Sequence, residues 1–515
     1  MFTAVRKCPA AAGGQPPCGG EGAVMRFSDI LENIRILSTN ILFFDYCIGK
    51  PVSDSCKVSR GDVYICKRGN DHDGHDFIPE AAENGAGTIV AERVTPYMCR
   101  HRDLRYITVH DTAIAEVMML DSYYDHPTKN IKLVGITGTN GKTSTAFMLR
   151  EIIAGSGHKC GMIGTLKSLL DGEVIDDNPA NMTTPAPSRL FETLSVMRSK
   201  KAEYTVLEAS SHALDQKRLD ALNFELGIFT NLTEDHLDYH RTFDNYKIAK
   251  SHLFDLCKLG LVNADVPFGR TLAASNRCRM KTYSLRDRSA DFCAEALEYS
   301  ESGVKYNIDG IKINCKMPGV IGAYNSLAAV ASAILLGIPK PCIAEALENM
   351  PQIPGRLEKL DLPVNYSVYI DYAHTPDALE KALSILRPLT SGRLIAVFGC
   401  GGDREHEKRP IMGRLACELA DFCIITSDNP RSEAPCDIIK EIESGISDST
   451  KRTATCKTIP SRSDAIIFAL ENAKAGDTVL LAGKGHEDYE IIGKNKRHFS
   501  EKEIINDYFQ GKNRK

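Results

Sequence analysis

A glycine-rich loop, Gly138-Thr139-Asn140-Gly141-Lys142-Thr143-Ser144, sits between an apolar strand-like run at 131–134 and a helix-like run at 145–153. No other feature constrains the fold as much. Such a turn lets backbone N–H groups face a phosphate and sets the positive end of a helix beside it. It also gives Lys142 reach to the outer phosphates and lets Thr143 offer a hydroxyl to Mg2+. The usual spacing would place a glycine at 136, where this chain has Ile136, so the loop is a tighter variant. The plainer alternative is a glycine turn with a chance lysine. Strand, phosphate loop and helix in succession imply a parallel α/β sheet.

The chain has 515 residues, more than one core accommodates, so several domains are expected. A net charge of −4, from 63 basic and 67 acidic residues, argues against nucleic acid and polybasic membrane contact. No apolar run reaches the roughly 18 residues that span a bilayer, so no membrane insertion is expected. The 17 cysteines include no CxxC pair and read as reduced thiols of a cytoplasmic enzyme. Residues 1–24 lack the apolar segment of a signal peptide and read as a disordered extension before Met25.

Three blocks follow, at 25–127, 128–353 and 354–515. The first carries short strand signals at 61–66 and 87–91. The second has strand candidates at 132–136, 204–208 and 226–230, and the third at 367–371, 394–399, 422–426 and 478–482. The expected fold is therefore α/β, with a small N-terminal α/β domain, a central P-loop parallel-sheet domain and a C-terminal Rossmann-like domain. Ligands of open parallel sheets bind at the carboxyl ends of strands. Glu208, Thr230-Asn231, Asp371, the Gly399–Arg404 loop, Asp428–Arg431 and Gly483–Glu487 all follow strand candidates directly, which points to an enzyme.

Each motif has a functional and a plain reading. Glu208 can hold Mg2+ beside the loop, or be a solvated loop carboxylate. The stretch Asn231–His240 packs three carboxylates and two histidines. It is a polar capping segment or a metal-proximal one, with His236 the candidate ligand. Lys250 lies near the apolar face of a helical stretch, where a lysine ordinarily snorkels. Arg404 and Arg431 offer forks for a carboxylate or phosphate. Asp428-Asn429-Pro430-Arg431 is equally ordinary turn chemistry. Gly483-Lys484-Gly485-His486-Glu487 supplies a carboxylate that can accept from an ammonium.

Read together, from about residue 30 to 500, these motifs resemble the Mur ligases, ATP-dependent amide-bond formers. Within that family they are most similar to the branch that adds the third amino acid to a UDP-muramoyl dipeptide. The resemblance implies that the N-terminal domain binds the UDP sugar and the central domain ATP, with Mg2+ required. The loop residues Gly138 to Ser144, with Asn325, Arg356, Asp371 and His374, become nucleotide contacts. Ser53, Ser55, Asn70, Asp71, His72, Thr183, Thr184, Ser210, Gln216 and Arg218 become contacts of the UDP-muramoyl dipeptide. Lys142, Glu208, His236 and a carbamylated Lys250 become the catalytic and metal-holding set, with Thr143. Arg404, Asp428, Asn429, Pro430, Arg431, Gly483 and Glu487 become the amino-acid site. In this family an arginine at the position of Arg431 goes with meso-diaminopimelate, whose distal carboxylate wants a guanidinium. Lysine-adding relatives usually lack it. Two departures stand out: Cys56 where the family usually has arginine, and Ile321-Gly322 where it has Phe-Asn before Asn325. The expectation is a monomeric, cytoplasmic ligase acting on small molecules. The alternatives are a lysine-adding sibling and a folylpolyglutamate synthase-like ligase.

Overall fold

A computed structural model of the chain describes residues 25–69, 72–178, 182–275, 277–300, 302–446 and 455–513. The expected extension at 1–24, and Asn70 and Asp71, lie outside the described residues. By internal contacts the chain divides into two units. The first is Met1–Ile131 with Pro185–Lys201 and His212–Asn223; the second is Lys132–Thr184, Ala202–Ser211 and Phe224–Lys515.

The first unit holds a five-stranded sheet. Its central strands Val63–Ile65, Thr88–Ala91 and Arg105–Thr108 run parallel. Both faces are apolar: Val63, Ile65, Val90 and Ile107 pack with helix Thr112–Tyr123, while Tyr64, Ile89 and Ala91 pack with Ile78 and Ala81. Burial on both faces explains why these strands read as short continuous apolar runs rather than as alternation.

The second unit holds two large sheets. In the first, β1 (Lys132–Thr137) is central, followed by α1 (Lys142–Gly155). It lies between β2 (Tyr204–Glu208) and β3 (Phe224–Phe229), parallel to both, in a nine-stranded sheet. Further along come α2 (Phe243–Ser251) and α3 (Gly319–Leu335). Helices α1 and α3 pack on Val134, Ile136, Val206 and Ile228. The second sheet carries β4 (Ser367–Asp371), β5 (Leu394–Phe398), α4 (Lys408–Leu419), β6 (Phe422–Ile425), β7 (Thr455–Thr458) and β8 (Thr478–Ala482). Its strand order from β4 is β4-β8-β5-β6-β7, all parallel. The α/β class with parallel sheets is as the sequence implies. A three-stranded antiparallel sheet, Glu295–Ser300, Gly303–Ile308 and Ile311–Cys315, was not anticipated.

Candidate active site

The phosphate loop joins β1 to α1. Gly138 and Gly141 both have positive φ, 147° and 86°. A Cβ on Gly138 would stand 2.0 Å from the Thr230 hydroxyl, and one on Gly141 would stand 2.4 Å from Asn325 Oδ1, so neither position admits a side chain. The loop is tied to the end of β3. Thr230 Oγ1 donates to Asn140 O (2.6 Å), and Asn140 N donates to Asn231 Oδ1 (3.0 Å). Thr139 Oγ1 donates to Thr233 O at 3.1 Å. Lys142 folds over its own loop, donating to Gly138 O and Thr139 O at 3.0 and 2.9 Å. Burial lowers its pKa, opposed by Glu208 and Asp235. Ser144 is buried in the first turn of α1.

Glu208, fully buried at the carboxyl end of β2, is a hub. It accepts from Thr143 Oγ1 (2.9 Å), from Thr165 N (3.0 Å) and from Thr165 Oγ1 (3.0 Å). Its backbone carbonyl accepts from Thr184 Oγ1 at 2.7 Å, and Thr184 accepts from Ser210 N at 2.9 Å. Thr183 joins through Thr165, at 3.2 Å. A carboxylate and a threonine hydroxyl side by side are hard oxygen donors of the kind Mg2+ takes. Lys250 is fully buried. It donates to Gly138 O at 2.9 Å and stands 4.3 Å above the Tyr246 ring. Burial, and then Lys142, hold its pKa well below the ordinary lysine value. His236 adopts left-handed φ of 55° before the short helix Leu237–His240, and its ring lies 6.3 Å from the same tyrosine ring.

At the second sheet, β4, β8, β5 and β6 are neighbours, so the four polar loops that follow them share one edge. Asp371 closes β4. Its carboxylate accepts from Leu357 N (2.6 Å), and burial pushes it up to about 6. His374 Nδ1 lies 2.8 Å from Tyr372 O. Asn429 Nδ2 donates to Glu487 Oε2 (2.9 Å), and Asn429 Oδ1 accepts from the fully buried Lys484 (3.1 Å). Lys484 also stands 3.3 Å from Asp428. Burial opposes ionisation of Asp428, but Lys484 and Arg462 outweigh it and hold the carboxylate below its usual range. Gly483 packs against Asp428, where a Cβ would stand 3.0 Å from Oδ2. The carbonyl oxygen of Pro430 lies against Gly402, 1.9 Å from where a Cβ would be. Arg431, with φ of 51°, donates from Nη1 to Gly402 O at 2.7 Å. Burial, and then the charge of Arg404, lower its pKa. The edge thus presents two guanidiniums of one loop pair and, across Asn429, the carboxylate of Glu487. A cleft of about 480 Å³ is lined by Arg404, Asp238, Asp403, Glu405, His406 and Glu433. The two sheets touch through their loops: Arg356 Nη2 donates to Thr143 Oγ1 (3.1 Å), and Asn140 Nδ2 to Asp377 Oδ2 (2.6 Å).

Asn325 is buried against the phosphate loop, and its side-chain nitrogen has no partner. Gly322 packs on the Met317 carbonyl; a Cβ would stand 2.1 Å from that oxygen. In the first unit, Ser53 Oγ donates to Glu116 and Ser55 Oγ to Glu80, both at 2.6 Å. Glu116 is paired with Lys67 at 2.8 Å. Cys56 is exposed, its sulfur 3.6 Å from Glu80. His72 is exposed, 6.1 Å from the Phe77 ring. Gln216 Oε1 accepts from Arg218 Nε (3.0 Å) and Nη2 (2.6 Å). Thr165, Lys484, Arg462 and Asp377 were not singled out from the sequence. Lys484 lies inside the Gly483–Glu487 motif and Asp377 ends the stretch that starts at Asp371, but nothing local marks Thr165 or Arg462.

Three family models match: "Mur ligase family, catalytic domain" at 52–120, "Mur ligase middle domain" at 136–333 and "Mur ligase, glutamate ligase domain" at 355–485. The chain belongs to the Mur ligase family. A Clostridium botulinum relative named UDP-N-acetylmuramoyl-L-alanyl-D-glutamate--2,6-diaminopimelate ligase is 40% identical over 458 residues, covering 88% of this chain and 93% of its own. A Clostridioides difficile relative of the same name is 39% identical over 492 residues, covering 94% and 99%. A solved structure of a protein with that name superposes with a TM-score of 0.65 at 28% identity, over 95% of this chain and 100% of its own. A MurF structure from Acinetobacter baumannii shares the fold at 18% identity, with a TM-score of 0.62 over 95% of this chain and 99% of its own.

Proposed function

We propose that this chain is the ligase that joins meso-diaminopimelate to UDP-N-acetylmuramoyl-L-alanyl-D-glutamate at the expense of ATP. The observation that carries this reading is the strand-end edge that sets Arg404, Arg431 and Glu487 on neighbouring loops of one sheet. A guanidinium pair suits a distal carboxylate, and Glu487 suits the ammonium beside it. Relatives at about 40% identity that bear this activity in their names support the same reading.

In this reading the loop amides of Gly138 to Lys142 and the Lys142 ammonium cradle the phosphates of ATP, with Arg356 beside them. Asn325, with an amide donor to spare, is suited to the base. Thr143 and Glu208 would hold Mg2+, which when bound neutralises phosphate charge. His236 and a carbamylated Lys250 would help hold the metal beside the triphosphate; a lysine of lowered pKa supplies the neutral amine that adds CO2 and sheds a proton. Carboxylate and triphosphate are both anionic, so Lys142 offsets their repulsion as the D-glutamate carboxylate attacks the γ-phosphorus and ADP leaves. The amine of diaminopimelate then attacks the acyl phosphate, phosphate departs, and the amide remains. Thr183, Thr184 and Ser210 are the candidate contacts of the acceptor in the second unit. Ser53, Ser55, His72, Gln216 and Arg218 are those in the first. Asp371, the last residue of β4, and His374, on the loop after it, are the candidate nucleotide contacts of the second sheet. The site of action proposed is the cytoplasm, where ATP and nucleotide-linked sugars are at hand. Among the described residues no helix is long and apolar enough to cross a membrane.

The test is phosphate release by the purified chain with ATP and Mg2+. Release that requires both the UDP-muramoyl dipeptide and an amino acid supports the ligase. Release with glutamate and a folate in their place would replace it with the folylpolyglutamate synthase-like alternative.

A further inference from the structure

Three cysteines distant in sequence meet in the second sheet. Cys417 lies near the end of α4, Cys423 is the second residue of β6, and Cys456 is the second residue of β7. Cys423 and Cys456 are partners across the parallel β6–β7 pair, so their side chains share the sheet face that α4 covers. The three sulfurs lie within 4.8 Å of one another, with Cys417 Sγ and Cys456 Sγ 2.8 Å apart. Cys417 and Cys423 are buried and Cys456 is half-buried. The neighbours are apolar, among them Met412, Ala416, Ala420 and Ile438. Hydrogen bonds with Cys417 and then Cys456, with burial added, hold the Cys423 thiol well above its usual pKa. Among the described residues, no other group of three potential metal-ligating side chains comes together in this way.

We propose that Cys417, Cys423 and Cys456 form a binding site for one soft, thiophilic metal ion of the Zn2+ or Cu+ class. Three polarisable sulfurs select such ions over Mg2+ or Ca2+. With metal–sulfur bonds of about 2.3 Å, three sulfurs around one ion stand about 4 Å apart. All three sulfurs lie within 4.8 Å of one another, and the Cys417–Cys456 pair, at 2.8 Å, opens by about 1 Å to admit the ion. On binding, three S–H bonds break, three protons leave to water and three sulfur–metal bonds form. No electron changes hands. A disulfide uses only two sulfurs and leaves the third unexplained. Cys423 and Cys456 sit at the amino ends of their strands, the edge opposite Asp428–Arg431. The ion would therefore fasten edge strand β7 to α4 without touching the reacting groups. The proposal is independent of the ligase reading.

The test uses the full chain, reduced, freed of metal and kept from air. Titration with Cd2+ alone is expected to raise a sulfur-to-metal charge-transfer absorption that saturates at one equivalent, and Zn2+ alone to raise Tm. Cys423→Ser and Cys456→Ser are expected to lose both signals, while Cys436→Ser, at an exposed cysteine outside the trio, keeps them. If Cys423→Ser fails to fold by circular dichroism, Cys456→Ser at the half-buried position decides. No saturating band in the unsubstituted chain overturns the proposal, as does a band that survives in the folded variants. A Cys417–Cys456 disulfide formed in air, with no metal uptake after reduction, also overturns it.

Discussion

Replacing Glu433 with glutamine will loosen the two arginine loops. Arg409 is fully buried on α4 and donates to both Glu433 oxygens at 2.8 Å and to Glu441 at 2.9 Å. Glu433 also accepts from Asp403 N, and Arg409 Nη2 reaches Gly401 O at 3.3 Å. One carboxylate thus ties the loop of Arg404 to the loop of Arg431. Arg409 holds that carboxyl at about 2, against 4.5 ordinarily. At 1.36 kcal/mol per pH unit, the difference contributes roughly 3 kcal/mol at neutral pH. Water reaches 22% of the Glu433 side chain, and screening there reduces the figure to ~2 kcal/mol. Because the folded-state value is depressed, the contribution is complete above about pH 4.5 and is lost as pH falls toward 2. Hydrogen–deuterium exchange read on peptides covering 401–445 measures the local opening. Glu433→Gln is expected to raise protected-amide exchange about 30-fold at pH 7, which is ~2 kcal/mol, and to abolish the acid-dependent loss expected of the unsubstituted chain. Exchange within twofold of the unsubstituted chain at pH 7, or an unchanged acid dependence, would refute the reasoning.

Three further outcomes follow from the site. Lys142→Ala is expected to abolish turnover in the phosphate-release assay with the chain still folded; an unchanged rate removes the loop lysine from the chemistry. Arg431→Ala is expected to raise the KM for diaminopimelate about 10–100-fold, the worth of one charge-assisted contact, while the KM for ATP stays put. A rise in the ATP KM instead would contradict its place at the amino-acid edge. Gly322→Asn, the side chain the resemblance leads one to expect there, forces a Cβ to 2.1 Å from the Met317 carbonyl. It is expected to lower Tm by several degrees, an overpacking cost of about 1–3 kcal/mol, and an unchanged Tm would show that α3 can shift.

The parallel strands were legible because strands covered on both faces are continuous apolar runs; the bounds 204–208, 367–371 and 478–482 match the observed strands residue for residue. Strand-end motifs were legible for the same reason, since the carboxyl ends of such runs mark the ligand edge. The antiparallel sheet within 295–315 escaped because Glu295–Ser300 is largely exposed and carries no apolar alternation. Thr165 and Arg409 escaped because their partners, Glu208 and Glu433, are remote in sequence and met only through the fold. The cysteine trio left no spacing signal, since its members come from a helix and two strands. Gly322 was visible as a departure from the resemblance, but the Met317 carbonyl that fills the space of a side chain there was not.

The most direct test of the central claim is the mass of the nucleotide product made from ATP, Mg2+ and UDP-N-acetylmuramoyl-L-alanyl-D-glutamate with meso-diaminopimelate or L-lysine in parallel. The account predicts a product one diaminopimelate residue heavier and none with lysine. Addition of lysine in preference to diaminopimelate would leave the ligase standing and contradict the assignment of Arg404, Arg431 and Glu487.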